Sequence, residues 1–145
     1  MDFITDALSD GRAFRCFTII DNLTRECPAI EVAHSLPALR VIQALDRLAV
    51  TRGLPQSIVC DNGPEFAGRA LDLWAHHHRV SLQFIRPGKP VENAFIESFN
   101  GRFREECLST EWFTSLTDAQ RAIEIWRNDY NHVRPHSSLD GRNPR

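Results

Sequence analysis

Three acidic side chains are the first candidates for chemistry: Asp61, Glu97 and Asp2. Asp61 closes the hydrophobic run Gln56–Cys60 (QSIVC) and opens Asp-Asn-Gly-Pro-Glu-Phe. Asp-Asn-Gly is also ordinary turn chemistry wherever a strand stops, so its local context alone does not decide its role. Glu97 sits in a better-defined pattern. At 100° per residue, Asn93, Glu97, Asn100 and Arg104 fall within about 60° on one helical stripe. Ile96, Phe99, Phe103 and Cys107 form the neighbouring apolar stripe, which is expected to pack on a sheet. A solvated helix face is normally built from long flexible charges. Two amides, one acid and one arginine suit a surface that meets a partner. Asp2 begins the first strand, where an acid is ordinarily solvated, and Asp6 and Asp21 compete for its place. Carboxylates gathered this way are hard oxygen ligands for divalent cations.

The elements that must position these groups can be read from periodicity. Asp2–Ala7 alternates, and Phe14–Asp21 (FRCFTIID) is rich in aromatic and β-branched residues. Asn22-Leu23-Thr24 connects tightly to a third strand, Arg25–Ala33, which Pro28 assigns to a sheet edge. A helix runs from about Pro37 to Thr51 and Gly53 stops it. Gln56–Cys60 is a short buried strand. A second helix covers Pro64 to about His78, with Phe66, Ala70, Leu73 and Trp74 on one face. Val80–Ile85 is a fifth strand, and Arg86–Glu92 (RPGKPVE) is a Pro/Gly loop. Helices over about Asn93–Leu108 and from Thr117 onward complete the chain. Thr117 and Gln120 are read as a capping box, and Pro135 ends the last helix. This order predicts a mixed α/β sheet with helices on both faces, whose active site lies at strand ends and the loops after them.

With 145 residues, 42% hydrophobic and 25% charged, the chain is one domain's worth of an ordinary globular protein. No apolar run is long enough for a membrane span, and no signal-peptide pattern opens the sequence. A soluble, intracellular protein is the expectation. Cys16, Cys27, Cys60 and Cys107 are scattered in apolar stretches without a C-x-x-C pair, which favours buried, reduced thiols. A net charge of -2 argues against binding nucleic acid through bulk positive charge. Of the 17 basic residues only Lys89 is lysine; arginine suits bidentate phosphate contacts. His76-His77-His78 point in three directions on a helix and cannot share a tetrahedral site. Pro135 breaks the helix that would align His132 with His136. Glu65 reads as a first-turn acid that favours the helix dipole.

Asp61 and Glu97 are separated by 35 residues. The segments DNGPEF, PGKPVENAFIESFNGRFREECL and YNHVRPHSSL, with MDF at the start and TIIDNLTREC on the following hairpin, resemble the catalytic core of bacterial insertion-sequence transposases of the retroviral-integrase-like type. The likeness covers nearly the whole of residues 1–145. It implies a ribonuclease-H-like α/β fold with a mixed five-stranded sheet, a three-strand antiparallel meander plus two parallel strands. It also implies a catalytic and metal-binding triad of Asp2, Asp61 and Glu97. Two Mg2+ ions, or Mn2+ on the same ligands, would serve phosphodiester cleavage and joining from positions about 3.5–4 Å apart. Without cations, two carboxylates about 4 Å apart repel by about 4 kcal/mol at an effective dielectric of 20, so the empty site is expected to be loose or partly protonated.

The same resemblance implies DNA contacts by Lys89, Asn93, Asn100 and Arg104, the last two turns beyond Glu97 where the family carries a basic residue. Tyr130–His136 reads as a packing and capping motif, with a C-terminal tail over about 135–145. Partners implied are double-stranded DNA, at element ends and target, and further copies of the chain on DNA, in a bacterial cytoplasm and not at a membrane. Only Met1 precedes Asp2, so the first strand is expected to lack its leading half, and the DNA-recognition region is expected upstream of this stretch. A nuclease that cuts without joining, or an inactive remnant, are the competing readings.

Overall fold

The computed structural model describes residues 1–60, 66, 68–85 and 94–132. Its first elements form an antiparallel meander: β1 (Asp2–Ala7), β2 (Ala13–Ile19) and β3 (Ala29–Ala33). The register places Asp2 opposite Thr18, Ile4 opposite Cys16 and Phe17 opposite Glu31. Strand alternation then sorts the side chains onto two faces. Ile4, Phe14, Cys16, Ile30 and Val32 join one core cluster, while Met1, Phe17 and Ala33 join the other, with Phe3 and Ile19 packed against it.

Helices cover both faces. α1 (Ala38–Arg52) and α2 (Arg69–His78) contribute Val41, Ala44, Leu45, Leu71, Trp74 and Ala75 to the cluster that holds Met1 and Phe17. Gly53, at φ 80°, closes α1 and returns its N–H to the Ala49 carbonyl, a conformation glycine adopts without a Cβ penalty. On the opposite face lie α3 (Ala94–Glu106), a 3-10 turn over Leu108–Thr110, and α4 (Leu116–His132). Ile96, Phe99, Phe103 and Cys107 are buried there, as the apolar stripe predicts, and Phe99 meets Tyr130 edge-on at 5.0 Å. β4 (Ser57–Cys60) pairs in parallel with β5 (Ser81–Phe84). The five expected strands are thus present as a three-stranded and a two-stranded hydrogen-bonded group. Met1 stands at the seam, its backbone nitrogen donating to the Val59 carbonyl at 2.7 Å.

Several local expectations change. The third strand begins at Ala29, because Arg25 takes a left-handed φ of 65° and the Cys27 backbone bonds to Asn131 on α4. Asp21 accepts the Leu23 and Thr24 N–H groups and pairs with Arg52, so it serves the hairpin turn. α2 is described from Arg69; of the expected face Phe66 and Trp74 are buried, but Ala70 and Leu73 are exposed and Leu71 is buried in their place. At α4 the capping residue is Ser115. Its hydroxyl accepts the Asp118 N–H, and Asp118 accepts the Thr114 N–H in return. Gln120 instead donates to the Val32 carbonyl, tying α4 to β3. His78 stacks on Trp74, and His76 and His77 are exposed. Glu65, Arg86–Glu92 and Pro135 lie outside the described residues.

Candidate active site

Asp2 lies at the first position of β1, half-buried, on the sheet face covered by α3. Its carboxylate is held from two directions. Oδ1 accepts the Phe3 N–H at 2.8 Å, and Oδ2 accepts the Asn100 side-chain amide at 2.9 Å. Asn100 is in turn fixed by Thr18, whose hydroxyl donates to its Oδ1 at 3.0 Å. Thr18 stands opposite Asp2 in the register and is fully buried. A buried amide is tolerated only with partners, and here both ends of the Asn100 amide have one. The polar stripe read from the helical wheel is therefore not uniformly a surface. Asn100 is only 7% exposed and faces inward, so the DNA contact expected of it gives way to a hold on Asp2. The wheel could not foresee this, because Asn100 sits beside the apolar stripe and its direction depends on what the sheet offers opposite.

Glu97 is on the first turn of α3, exposed, three residues before Asn100. Residues at i and i+3 carry Cβ atoms about 5–6 Å apart. Glu97 thus rises from the helix turn next to the one that grips Asp2. Arg104 is exposed, further along α3. Burial pushes the Cys16 thiol up to about 12, Asp6 adds to that shift, and Arg104 opposes it. Asp6, a competitor for the place of Asp2, accepts its neighbour's N–H from Ala7.

Asp61, Lys89 and Asn93 lie outside the described residues. The positions flanking the Asp61–Glu65 stretch are described, and both rest on the start of β1. Cys60, one peptide bond before Asp61, is fully buried at the end of β4, whose Val59 carbonyl takes the Met1 nitrogen. Phe66 is fully buried and stacks on Phe3 at 4.8 Å, with Phe17 at 6.2 Å. Sequence reasoning missed Thr18 and the anchoring role of Phe66. A lone hydroxyl on a strand face otherwise carrying Phe14 and Cys16 was the available signal for Thr18.

The integrase core domain family matches residues 1–90 and again residues 78–144. The chain belongs to the integrase core domain family. Its relatives include an uncharacterized 31.7 kDa protein of insertion element IS407 from Burkholderia multivorans. The two are 51% identical over 140 residues, which is 97% of this chain and 50% of that protein. A protein of insertion element IS476 from Xanthomonas euvesicatoria is 48% identical over 99% of this chain and 41% of its own length. The chain thus spans about half the length of these relatives or less. Among solved structures, the magnesium complex of the HTLV-2 integrase catalytic core in trimeric form superposes with a TM-score of 0.74 at 14% identity, covering 99% of this chain and 92% of that one. A simian T-cell lymphotropic virus intasome in complex with PP2A regulatory subunit B56 gamma gives 0.79 at 14% identity, over 99% of this chain and 51% of that one. The expected ribonuclease-H-like fold of this integrase core is therefore the observed one. Among its described residues no helix is long and apolar enough to cross a membrane.

Proposed function

We propose that this integrase core carries the chemistry of DNA transposition: hydrolytic cleavage at the 3′ ends of an insertion element, then joining to target DNA. The observation that carries the reading is the Thr18–Asn100–Asp2 chain of hydrogen bonds, which docks the Glu97 helix onto the Asp2 strand. The anchoring of Cys60 and Phe66 at the start of β1 supports adding Asp61 as the third ligand. Kinship with insertion-element proteins supports DNA as the substrate. Intasome and trimeric assemblies of fold relatives support action by several copies on DNA, in a bacterial cytoplasm.

The donor set fits a hard divalent cation. Asp2 and Glu97 offer carboxylate oxygens, and each Asp2 oxygen accepts one of these hydrogen bonds while keeping further lone-pair capacity. Mg2+, or Mn2+, held by Asp2, Asp61 and Glu97 would supply charge stabilisation at the attacking and leaving oxygens of phosphodiester exchange. The chain's own residues do the positioning. The Asn100 amide and the Phe3 N–H fix the Asp2 carboxylate, so its oxygens need little reordering when a cation binds. Glu97 stands exposed on a helix whose apolar face is locked in the core. Arg104 and Lys89, with Asn93, are assigned to DNA.

The test joins the chain to an upstream DNA-recognition region and compares it with Asp61→Asn and Glu97→Gln in a strand-transfer assay with Mg2+. Loss of both cut and joined products, with thermal stability unchanged, is the expected result. Full activity in either variant overturns the triad, and cut ends without joined product identify a nuclease instead.

A further inference from the structure

Backbone strain and an unpaired donor coincide on one side chain, Arg25. It takes a left-handed φ of 65°, where its N–H closes the β2–β3 turn onto the Asp21 carbonyl. Glycine adopts that backbone without a Cβ penalty, and a long side chain there is strained. The Arg25 guanidinium lies over the Phe95 ring of α3, 3.6 Å from its centroid. Its Nη1 is the one buried side-chain nitrogen or oxygen among the described residues without a hydrogen-bond partner. A buried donor left unpaired costs stability. The neighbouring acids of the turn do not answer it, because Asp21 and Glu26 are both engaged by Arg52 of α1.

The flank of α3 under Arg25 adds a second cation. At 100° per residue Phe95, Ser98 and Arg102 fall within about 60° of one another, neighbours at i+3 and i+4. All three are exposed. Arg102 enters no ion pair among the described residues. Both cations are felt at one hydroxyl: burial pushes Tyr130 up to about 12, and Arg102 and Arg25 oppose that rise. An acid meets this stripe at Glu105, one turn beyond Arg102 and farther from Phe95. Glu97 projects about 160° round the helix from Phe95, so the flank is separate from the carboxylates. Between the two sides the outer ridge of α3 is low. It carries Ala94, Ser98 and Gly101, and a Cβ at Gly101 would meet nothing within 4 Å.

We propose that Arg25, with Ser98 and Arg102, holds backbone phosphates of duplex DNA on the flank of α3 opposite Glu97. A guanidinium stacked on an aromatic ring presents its N–H edge in a fixed plane, which suits a bidentate phosphate contact. The Ser98 hydroxyl adds a neutral donor between the two cations. The low ridge lets a sugar–phosphate strand pass from this flank to the Glu97 side while staying close to the helix. That continuity selects DNA over an acidic segment of protein. Phosphate contacts of this kind set the register of the duplex and carry no sequence information; Arg25 is thus a positioning residue, remote from the reacting phosphate. The inference rests on the DNA chemistry proposed above and adds a contact to it.

The experiment follows binding of a fluorescein-labelled duplex of mixed sequence by anisotropy across a series of low salt concentrations, with Tm and self-association read for every variant. Asparagine enters the left-handed region readily, so Arg25→Asn removes the cation without forcing the turn. Arg25→Asn and Arg102→Gln are each expected to weaken binding several-fold and to reduce the slope of log K against log salt by about 1, with Tm nearly unchanged. Arg12→Gln, at the β1–β2 turn where Arg12 pairs with Asp10, is expected to leave binding and slope as in the parent. Parent-like binding and slope in Arg25→Asn overturn the proposal. A lowered Tm in that variant with DNA binding intact also overturns it and assigns the guanidinium to the hairpin. Self-association lost in Arg25→Asn with DNA binding intact assigns it to a second copy instead. An equal loss in Arg12→Gln reduces the effect to net charge and ends the proposal too. Parent-like binding by Arg25→Asn beside lost strand transfer in Glu97→Gln ends this inference alone; a parent that binds no duplex at the lowest salt ends the underlying reading as well.

Discussion

Asn100 gives the sharpest test of how the acidic site is held. In Asn100→Ala, Asp2 loses a hydrogen bond to its carboxylate, and the buried Thr18 hydroxyl loses its shorter acceptor and keeps only the Asp2 carbonyl at 3.5 Å. A hydrogen bond to a charged group contributes about 1.5–3 kcal/mol, and a buried hydroxyl left poorly paired costs about 1–3 kcal/mol. Half-burial lets water replace part of the Asp2 bond, so a total loss of about 2–4 kcal/mol is expected. For a domain of this size that lowers Tm by about 5–15 °C. Asn100→Asp separates charge from packing. Its new carboxylate would lie beside that of Asp2, and at about 4 Å the repulsion is about 4 kcal/mol at an effective dielectric of 20. The pair then keeps a proton and its folded apparent pKa rises above the unfolded value. A raised acid pKa means the folded state binds more protons, so stability falls as pH rises. Asn100→Asp should therefore be far less stable at pH 8 than at pH 5, whereas Asn100→Ala should show little pH dependence over that range. A divalent cation should recover part of the Asn100→Asp loss at pH 8. Calorimetric or fluorescence-monitored unfolding at the two pH values, with and without Mg2+, reads all of this. If both variants unfold within about 0.5 kcal/mol of the parent at pH 7, the network does not hold the site and the argument fails.

Other outcomes follow from the same structure. Binding of this chain alone to duplex DNA should be weak and salt-sensitive, given its net charge of -2. Arg104→Ala should weaken binding uniformly across sequences and reduce the slope of log K against log salt by about 1; an unchanged slope removes Arg104 from the phosphate contacts. Burial pushes the Cys16 and Cys27 thiols up to about 12 from an ordinary value near 9. Both should resist thiol reagents at pH 8 until the chain unfolds. Because the unfolded thiols ionise first, stability should decline as pH rises past about 9; rapid labelling of folded protein would contradict the burial. Asn131 is buried and bridges the Cys27 N–H and carbonyl at 2.8 and 2.9 Å. Asn131→Ala should cost about 2–4 kcal/mol and speed amide exchange across Asp21–Cys27; exchange confined to its parent rate would show that other contacts hold the hairpin.

Much of the architecture was legible in order and period. The strand alternation of Asp2–Ala7 and FRCFTII, and the 3.6-residue repeat of Ile96, Phe99, Phe103 and Cys107, required only that apolar groups leave water. Boundaries were less legible, because backbone partners decide them. Asn131 reaches across from α4 to hold Cys27 out of β3, and Ser115 with Asp118, not Thr117 with Gln120, caps α4.

The acids show the same division. Residue type and spacing singled out Glu97 and Asp61, and the motif match alone supported Asp2. What only the tertiary structure decided is that Asn100 turns inward to bind Asp2, while Glu97, one turn before it, remains exposed. A sequence fixes where a side chain stands on its helix. It does not fix which polar groups the opposing sheet presents, and in a packed interior those groups determine which way an amide points. The antiparallel pairing of Asp2 with Thr18 supplies both partners at once.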